Sequence, residues 1–578
     1  MQTYDTVIRG GEIADGLGSP LFVADVAITG GRIAAVGPGL PGKGREEIDA
    51  RGLLVTPGVV DIHTHYDGQA VWDSHLAPSS WNGVTTVVMG NCGVGFAPVK
   101  PQDRERLVEL MEGVEDIPGA VMHEGLDWSW SSFDEYLAAV ERRPHDVDIC
   151  AQLSHGPLRV YVMGERALRL ENASKQDIAQ MRQLTADAMR AGAIGFSTSR
   201  SINHKTLKGD PTPSLRASED ELTGIAMGIA DAGHGVLQLL TDFDTPSLEE
   251  EFAMLRRVSK KSGRPLSFSL AQSHRRKDRD NWRKLLKLTQ QAVDEGQEFR
   301  AQVAPRPIGT LLGLQATLNP LSVCPAYKDI AALPVAERVE RLRDPALRAT
   351  LVEQMQHHDN SALARQLTNF KNIFPLGDPP NYEPPPQDSL KAQAEAQGVQ
   401  PAELVYDQLL ANEGRTLLYS PFANYADGHL DACGEMLADP NTVLGLSDGG
   451  AHVGMIADGS FPTYLLSHWG KERSHGKFDI SWLVKRQTSD TARTVGLHDR
   501  GIIAPGKKAD INIIDLDKLR LRQPELHYDL PAGGRRLLQR AEGYVATLVS
   551  GVTTYRDGEA TGALPGKLVR SGRETQVA

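Results

Sequence analysis

Apolar residues gather along the chain into short runs, and the character of those runs changes twice. Between residues 4 and 56 they are brief and broken by Gly and Asp, as in Tyr4 to Arg9, Phe22 to Thr29, Arg32 to Val36 and Glu46 to Ala50. Turn residues between alternating apolar positions predict hairpins of a small sheet. From Leu53 the alternation gives way to a nearly continuous apolar run that ends in Asp61-Ile62-His63-Thr64-His65, the pattern of a strand buried on both faces, as parallel strands are. Runs of the same kind start at Gly83, Val147, Ala193, Gly235, Leu266, Phe299 and Val443, with helical stretches between them. With the first, they make eight strands in βα repeats, which predict an α/β fold of the closed (β/α)₈ TIM-like type rather than an open sheet.

Two segments depart from the repeat. Residues from about 311 to 410 are charged, helical in pattern and Pro-rich between Pro379 and Pro386, so they read as an insertion between the last two strands, placed to cover the mouth of the barrel. After Gly496 the chain returns to Gly-punctuated strands, including Gly501 to Asp515 and Val545 to Gly558. The two ends are alike in style, which predicts one small β-sandwich domain assembled from both termini. The expected division is 1–56 and 497–578 for that domain and 57–496 for the barrel.

The chain has 578 residues, 40% of them hydrophobic and 24% charged, an ordinary globular mixture. A formal charge of −12 argues against nucleic-acid and anionic-membrane partners, both of which need a basic surface. A small-molecule substrate is expected, and a homo-oligomer is compatible with the sequence. The first residues lack the basic and apolar regions of a signal peptide, and no apolar run has membrane-spanning length, so a cytoplasmic protein is expected. The cysteines, Cys92, Cys150, Cys324 and Cys433, lie far apart, which suits reduced thiols.

His63 and His65 end the first barrel strand, and two residues apart on an extended chain they share a face, so both imidazoles can reach one divalent ion. The C-terminal ends of barrel strands are where active sites lie. Asp448 ends the eighth strand in Gly445-Leu-Ser-Asp-Gly-Gly-Ala-His452. A carboxylate there can ligate an ion and also accept a proton from water that the ion acidifies, against the alternative of an Asp capping an Asp-Gly turn. Cys92, in Met89-Gly-Asn-Cys-Gly, follows the second strand. Alone it reads as a small buried hydrophobe, and at a metal site its thiolate is a good zinc ligand. Arg200 and Arg306, at strand ends, are candidates to hold a substrate carboxylate through bidentate contacts, with Asn203, His204 and Lys205 beside them.

The strings Pro57-Gly-Val-Val-Asp-Ile-His-Thr-His, Gly90-Asn-Cys-Gly, Ser154-His-Gly-Pro-Leu-Arg, Gly195-Phe-Ser-Thr-Ser, Ser447-Asp-Gly-Gly-Ala-His and Ala504-Pro-Gly-Lys-Lys-Ala-Asp together resemble the amidohydrolase superfamily. They are most similar to its N-acyl-D-amino-acid deacylase, or D-aminoacylase, branch. The resemblance spans most of the chain outside the insertion. It implies one or two zinc or other divalent ions, with His63, His65 and Cys92 as metal-site residues and Asp448 as the catalytic carboxylate. His155 matches a histidine of a family motif and, with His452, is expected near the substrate. The branch also places metal-binding histidines after the fifth and sixth strands. Leu240 stands at the first of these positions. His274 lies close to the second and is the candidate ligand there, with Gln238, Asp242 and Gln272 as alternative oxygen donors.

Two further strings carry less. Gly37-Pro-Gly-Leu-Pro-Gly42 has the spacing of a dinucleotide loop, but its prolines lack N–H groups and no helix follows. Gly445-Leu-Ser-Asp-Gly449 has the spacing of a nucleophile elbow without the helix that motif requires. The expected reaction is therefore hydrolysis of an amide C–N bond, with an N-acyl amino acid as the substrate the resemblance implies. Cleavage of a cyclic amide, carbamate or ester is the alternative within enzymes. A metal-free binding or assembly module is the alternative outside them, motivated by Leu240.

Overall fold

At Gly58 the long apolar run leaves one sheet and enters another. The computed structural model describes residues 3–572 apart from Thr245 and Arg276, so the outermost residues of the expected β-domain, 1–2 and 573–578, lie outside the described part. In chain order, β1 (Thr3–Ile13), β2 (Phe22–Thr29), β3 (Arg32–Gly37), β4 (Lys43–Asp49) and β5 (Leu54–Pro57) belong to the small domain. The run expected as one barrel strand is thus divided. β5 pairs with β1, and only β6 (Val59–Asp61) enters the barrel. The reason is steric: a Cβ at Gly58 would come within 2.1 Å of Thr85 Oγ1, so glycine alone lets the chain pass this close to the neighbouring strand.

The barrel continues with β7 (Val84–Met89), β8 (Asp148–Ser154), β9 (Gly195–Arg200), β10 (Val236–Thr241), β11 (Leu266–Ser269) and β12 (Phe299–Val303). An excursion containing β13 (Ile308–Leu312), β14 (Phe374–Pro375) and β15 (Leu418–Ala423) precedes β16 (Thr442–Leu444). The eight expected strands pair in the order β6-β7-β8-β9-β10-β11-β12-β16, each neighbour parallel. Between β16 and β6 the ring is closed just beyond the strands, by a parallel bridge of Thr64 to Gly449 and by hydrogen bonds from Asp448 N to His63 O (3.1 Å) and His65 N to Gly449 O (2.8 Å). Helices such as Lys175–Ala191 and Glu219–Ala232 cover the outside, and Ser174 and Ser218 cap their free N–H groups.

The excursion between the last two barrel strands is broader than the pattern predicted. Its helices bury a separate apolar core that includes Leu312, Leu342, Leu351, Val405 and Leu418. It also carries the three-stranded sheet β14-β15-β13, which the pattern did not show because β15 is interrupted by Pro421 and β14 has only two residues. Thr317 N donates to Gly454 O and Leu311 N to Met455 O, so the excursion packs on the loop that follows β16.

The C-terminal part supplies β17 (Ile511–Ile514), β18 (Arg520–Leu521), β19 (Glu525–Leu530), β20 (Gly534–Leu538), β21 (Ala541–Glu542), β22 (Tyr544–Val549), β23 (Val552–Arg556) and β24 (Glu559–Ala560). The small domain is one nine-stranded sheet in the order β24-β23-β22-β17-β5-β1-β2-β3, with β4 added on β1. β17 pairs with β5, which joins the two termini. Ile8, Val26, Ile511 and Leu548 lie in its core. Not all of the C-terminal part stays there. The β19-β20 hairpin reaches the loop after β16, where Leu537 N donates to Val453 O at 2.6 Å, and residues 566–569 return to the barrel beside Ile149. Among the described residues, no helix is long and apolar enough to cross a membrane.

Candidate metal centre

His63 and His65 follow β6, Cys92 follows β7 and Asp448 follows β16, so the three elements bring them to the same end of the barrel. His63, His65 and Cys92 offer ligand atoms within 4.8 Å of one another, and all three are buried. Cys92 Sγ is 3.4 Å from His63 Nε2. Asp448 Oδ1 is 3.3 Å from His63 Nε2 and 3.5 Å from His65 Nε2. Zinc bonds of about 2.0–2.3 Å in a tetrahedron put ligand atoms roughly 3.3–3.8 Å apart. These spacings fall in that range. Two imidazoles, a thiol and a carboxylate also form a donor set suited to zinc, so the residues present fit a divalent ion.

The backbone is held unusually here. Cys92 (φ 54°), Asp448 (φ 49°) and His452 (φ 49°) all take left-handed conformations, which are uncommon for residues with a Cβ and tend to persist at functional sites. Around Cys92 the glycines are required by space: a Cβ on Gly90 would lie 2.4 Å from Gln152 O, and one on Gly93 would lie 2.9 Å from Ser199 N. Asn91 ties the turn down, donating to Thr64 O and Val88 O and accepting from Gln152 Nε2. His63 is oriented by Gln302, whose Oε1 is 2.6 Å from Nδ1, and Gln302 is held in turn by Ser267.

Charge at the site is unevenly placed. Burial opposes ionisation of Asp448, but His65, His63 and His452 outweigh it and hold the carboxyl well below its ordinary range. Burial also disfavours a charged His65, yet Glu115 and Asp448 raise its pKa well above the usual value. His63 is lowered, chiefly by burial. Burial pushes the Cys92 thiol up to about 11; a bound cation would reverse that, because a coordinating thiol is deprotonated.

Two buried side chains here were not singled out in the sequence. Glu115, at the end of the helix Arg104–Glu115, approaches His65 Nδ1 at 3.3 Å and His452 Nε2 at 3.5 Å. Gln302 is the other. Glu115 was hidden because it follows Glu105, Glu109 and Glu112 on a charged helix that reads as a solvated face. Gln302 shares its face of β12 with Arg300, so in the sequence it reads as one residue of a polar face. His204, in the loop after β9, is half-buried beside the cluster with Ser199 Oγ at 2.9 Å from Nδ1, and desolvation together with His452 and His65 lowers its pKa to about 3.

Other candidates lie elsewhere or are already engaged. His274 is not part of the cluster: its Nε2 accepts from Tyr425 N, because the segment after β11 is drawn towards the excursion by Asn424, which accepts from Gln272 N and donates to Gln272 O. Gln272 is fully used, donating to Asp427 and accepting from Ala426 N. Asp242 holds the loop after β9 through Ser201 and Ile202. Leu240, next to the last residue of β10, offers no donor, and Gln238 is buried with neither amide atom hydrogen-bonded. Both nitrogens of His155 are engaged, by Thr198 and by Glu221, which also pairs with Arg159, so this histidine has no ring nitrogen left for substrate. Arg200 is bidentate to Glu251. Arg306 is buried, pairs with Asp458 at 2.8 Å and stacks 3.6 Å from the centre of the Tyr382 ring. Arg200 is thus committed to Glu251, while Nε and Nη1 of Arg306 have no hydrogen-bond partner among the described residues.

Residues 46–555 match the model of the amidohydrolase family. An uncharacterised protein of Mycobacterium tuberculosis is 29% identical over 99% of this chain and 95% of its own length. The D-aminoacylase of Alcaligenes xylosoxydans xylosoxydans is 31% identical over 40% of this chain and 43% of its own. Among solved structures, a D-aminoacylase aligns with a TM-score of 0.65 at 23% identity, covering 98% of this chain and all of that one. N-acyl-D-glutamate deacylase from Bordetella bronchiseptica, solved with zinc and a phosphonate mimic of the tetrahedral intermediate, aligns with a TM-score of 0.65 at 22% identity, covering 99% and 100%. At such identities the structural matches speak for the fold. The family match covers the barrel and part of each flank, and this chain therefore belongs to the amidohydrolase family.

Proposed function

We propose that the protein hydrolyses the amide C–N bond of an N-acyl amino acid, as a D-aminoacylase-like deacylase, with zinc held by His63, His65, Cys92 and Asp448. The observation that carries this reading is the buried cluster of His63, His65 and Cys92, with Asp448 Oδ1 at 3.3 Å and 3.5 Å from the two imidazoles. A scaffold for binding or assembly has no physical need for that buried set, which is what favours an enzyme over a metal-free module. The deacylases among the relatives and structural neighbours support the substrate class.

A bound divalent ion supplies a Lewis acid and makes water more acidic. The chain's own part in the reaction is proton transfer and orientation. Asp448 lies among three imidazoles that keep it ionised, so it can accept a proton from the attacking water and return it to the leaving nitrogen. Gln302 fixes the ring of His63, and the tied turn at Asn91 fixes Cys92. The test is a panel of N-acyl-D- and N-acyl-L-amino acids, with a cyclic amide and an ester, offered to zinc-loaded protein. Release of free amino acid supports the reading. Turnover confined to the cyclic amide or the ester would replace it with another amidohydrolase activity.

A further inference from the structure

Glu115 is 1% exposed, and among the described residues no lysine or arginine comes within 4.0 Å of its carboxylate. It is also the last residue of its helix, where the helix dipole disfavours a negative charge. Burial and position both count against an acid here. Its surroundings supply the compensation. Oε1 is 3.3 Å from His65 Nδ1, and Oε2 is 3.5 Å from His452 Nε2. Both imidazoles also face Asp448, His65 Nε2 at 3.5 Å from Oδ1 and His452 Nε2 at 3.9 Å from Oδ2. Two carboxylates and two imidazoles therefore alternate around a closed circuit, with Asp448 on one side and Glu115 on the other. The backbone reinforces it, since the N–H of His452 donates to the carbonyl of Glu115.

Of the two nitrogens of His65, Nδ1 is the one turned to Glu115 and Nε2 the one turned to Asp448. A proton on Nδ1, facing Glu115, leaves the lone pair on Nε2, the nitrogen turned towards Asp448. We infer that Glu115 is a positioning residue: it holds His65 as an Nε2 ligand and fixes His452 beside Asp448, and so sets the affinity of the cation site. The inference rests on the proposed metal site but not on the substrate.

The test is zinc affinity of the full-length protein, measured by competition with a chromophoric chelator, together with thermal unfolding of the metal-free form. Glu115→Ala is expected to bind zinc up to about 100-fold more weakly than wild type, and Glu115→Gln, which keeps the shape without the charge, about tenfold more weakly. Glu112→Gln, one turn away on the same helix, is expected to match wild type. A purely structural acid would lower the unfolding temperature of the metal-free protein and leave zinc affinity unchanged. Wild-type affinity in both Glu115 variants, or in Glu115→Gln alone should the alanine variant not fold, overturns the inference. Wild-type protein that binds zinc but cleaves no N-acyl amino acid would refute the proposed substrate and leave Glu115's role standing. Wild-type protein that binds no zinc overturns both.

Discussion

The N–H of Asp448 donates to the carbonyl of His63 at 3.1 Å, and this bond is among those that close the barrel between its first and last strands. Ring closure thus brings two of the candidate metal-site residues together. Once the backbones are paired, the side chains of the same two residues stand 3.3 Å apart. A site placed across the seam is held by the whole barrel rather than by a loop, which is what pre-organised chemistry requires.

Asp448→Asn is expected to lower kcat by about 10²–10⁴-fold, the usual contribution of a positioned general base, while circular dichroism stays that of the wild type. The asparagine keeps the size and the backbone hydrogen bonds and loses only the proton-accepting oxygen. Steady-state kinetics on the best N-acyl substrate decides it, and full activity in the variant would remove Asp448 from the mechanism.

Elemental analysis of the wild type should find zinc or another divalent ion, and dialysis against a chelator should abolish hydrolysis until zinc is returned. Cys92→Ala and His63→Ala should each lose bound metal and activity together, because each removes a donor from the cluster. Metal retained at wild-type stoichiometry in both variants would place the ion elsewhere.

Arg306→Ala is expected to act on stability rather than on substrate binding. It leaves Asp458 buried without its partner and removes the cation stacked on Tyr382; breaking a buried pair in this way costs about 3–5 kcal/mol. Urea unfolding should show the loss, with KM of the folded fraction close to wild type. A large rise in KM at unchanged stability would instead return Arg306 to the substrate.

Glu383 pins the excursion to the barrel. It accepts hydrogen bonds from His468 (2.7 Å), Arg473 (3.0 Å) and the N–H of Leu430 (2.9 Å). Burial works against its charge, but His468, Arg473 and Leu430 bring the pKa down to about 2. A carboxylate with a depressed folded-state pKa stabilises above its unfolded value and loses that contribution as pH falls through the folded value. Glu383→Gln should therefore be less stable than wild type by roughly 2–3 kcal/mol above about pH 4.5. The gap should narrow as the pH drops towards 2, read by urea unfolding at several pH values. A gap that stays constant with pH would show that shape rather than charge matters at this position.

The sequence by itself determined the framework, because barrel strands buried on both faces must be written as apolar runs and strand ends carry the chemistry. The eight strands, the small domain made from both termini, and the placement of His63, His65 and Asp448 at strand ends were legible in that way, while Cys92 stood out through the resemblance. Only the tertiary structure decided what those residues meet. The crossing at Gly58 depends on how near Thr85 lies, and the strands of the excursion depend on pairing with distant partners. His155, Arg200 and Arg306 read as pocket residues because polar side chains at strand ends are exposed unless a counter-charge is folded against them. Glu221, Glu251 and Asp458 are those counter-charges, each brought from another part of the chain. Glu115 is the converse case. On its own helix it is one acid among several, and only the approach of His65 and His452 from two other elements sets it apart.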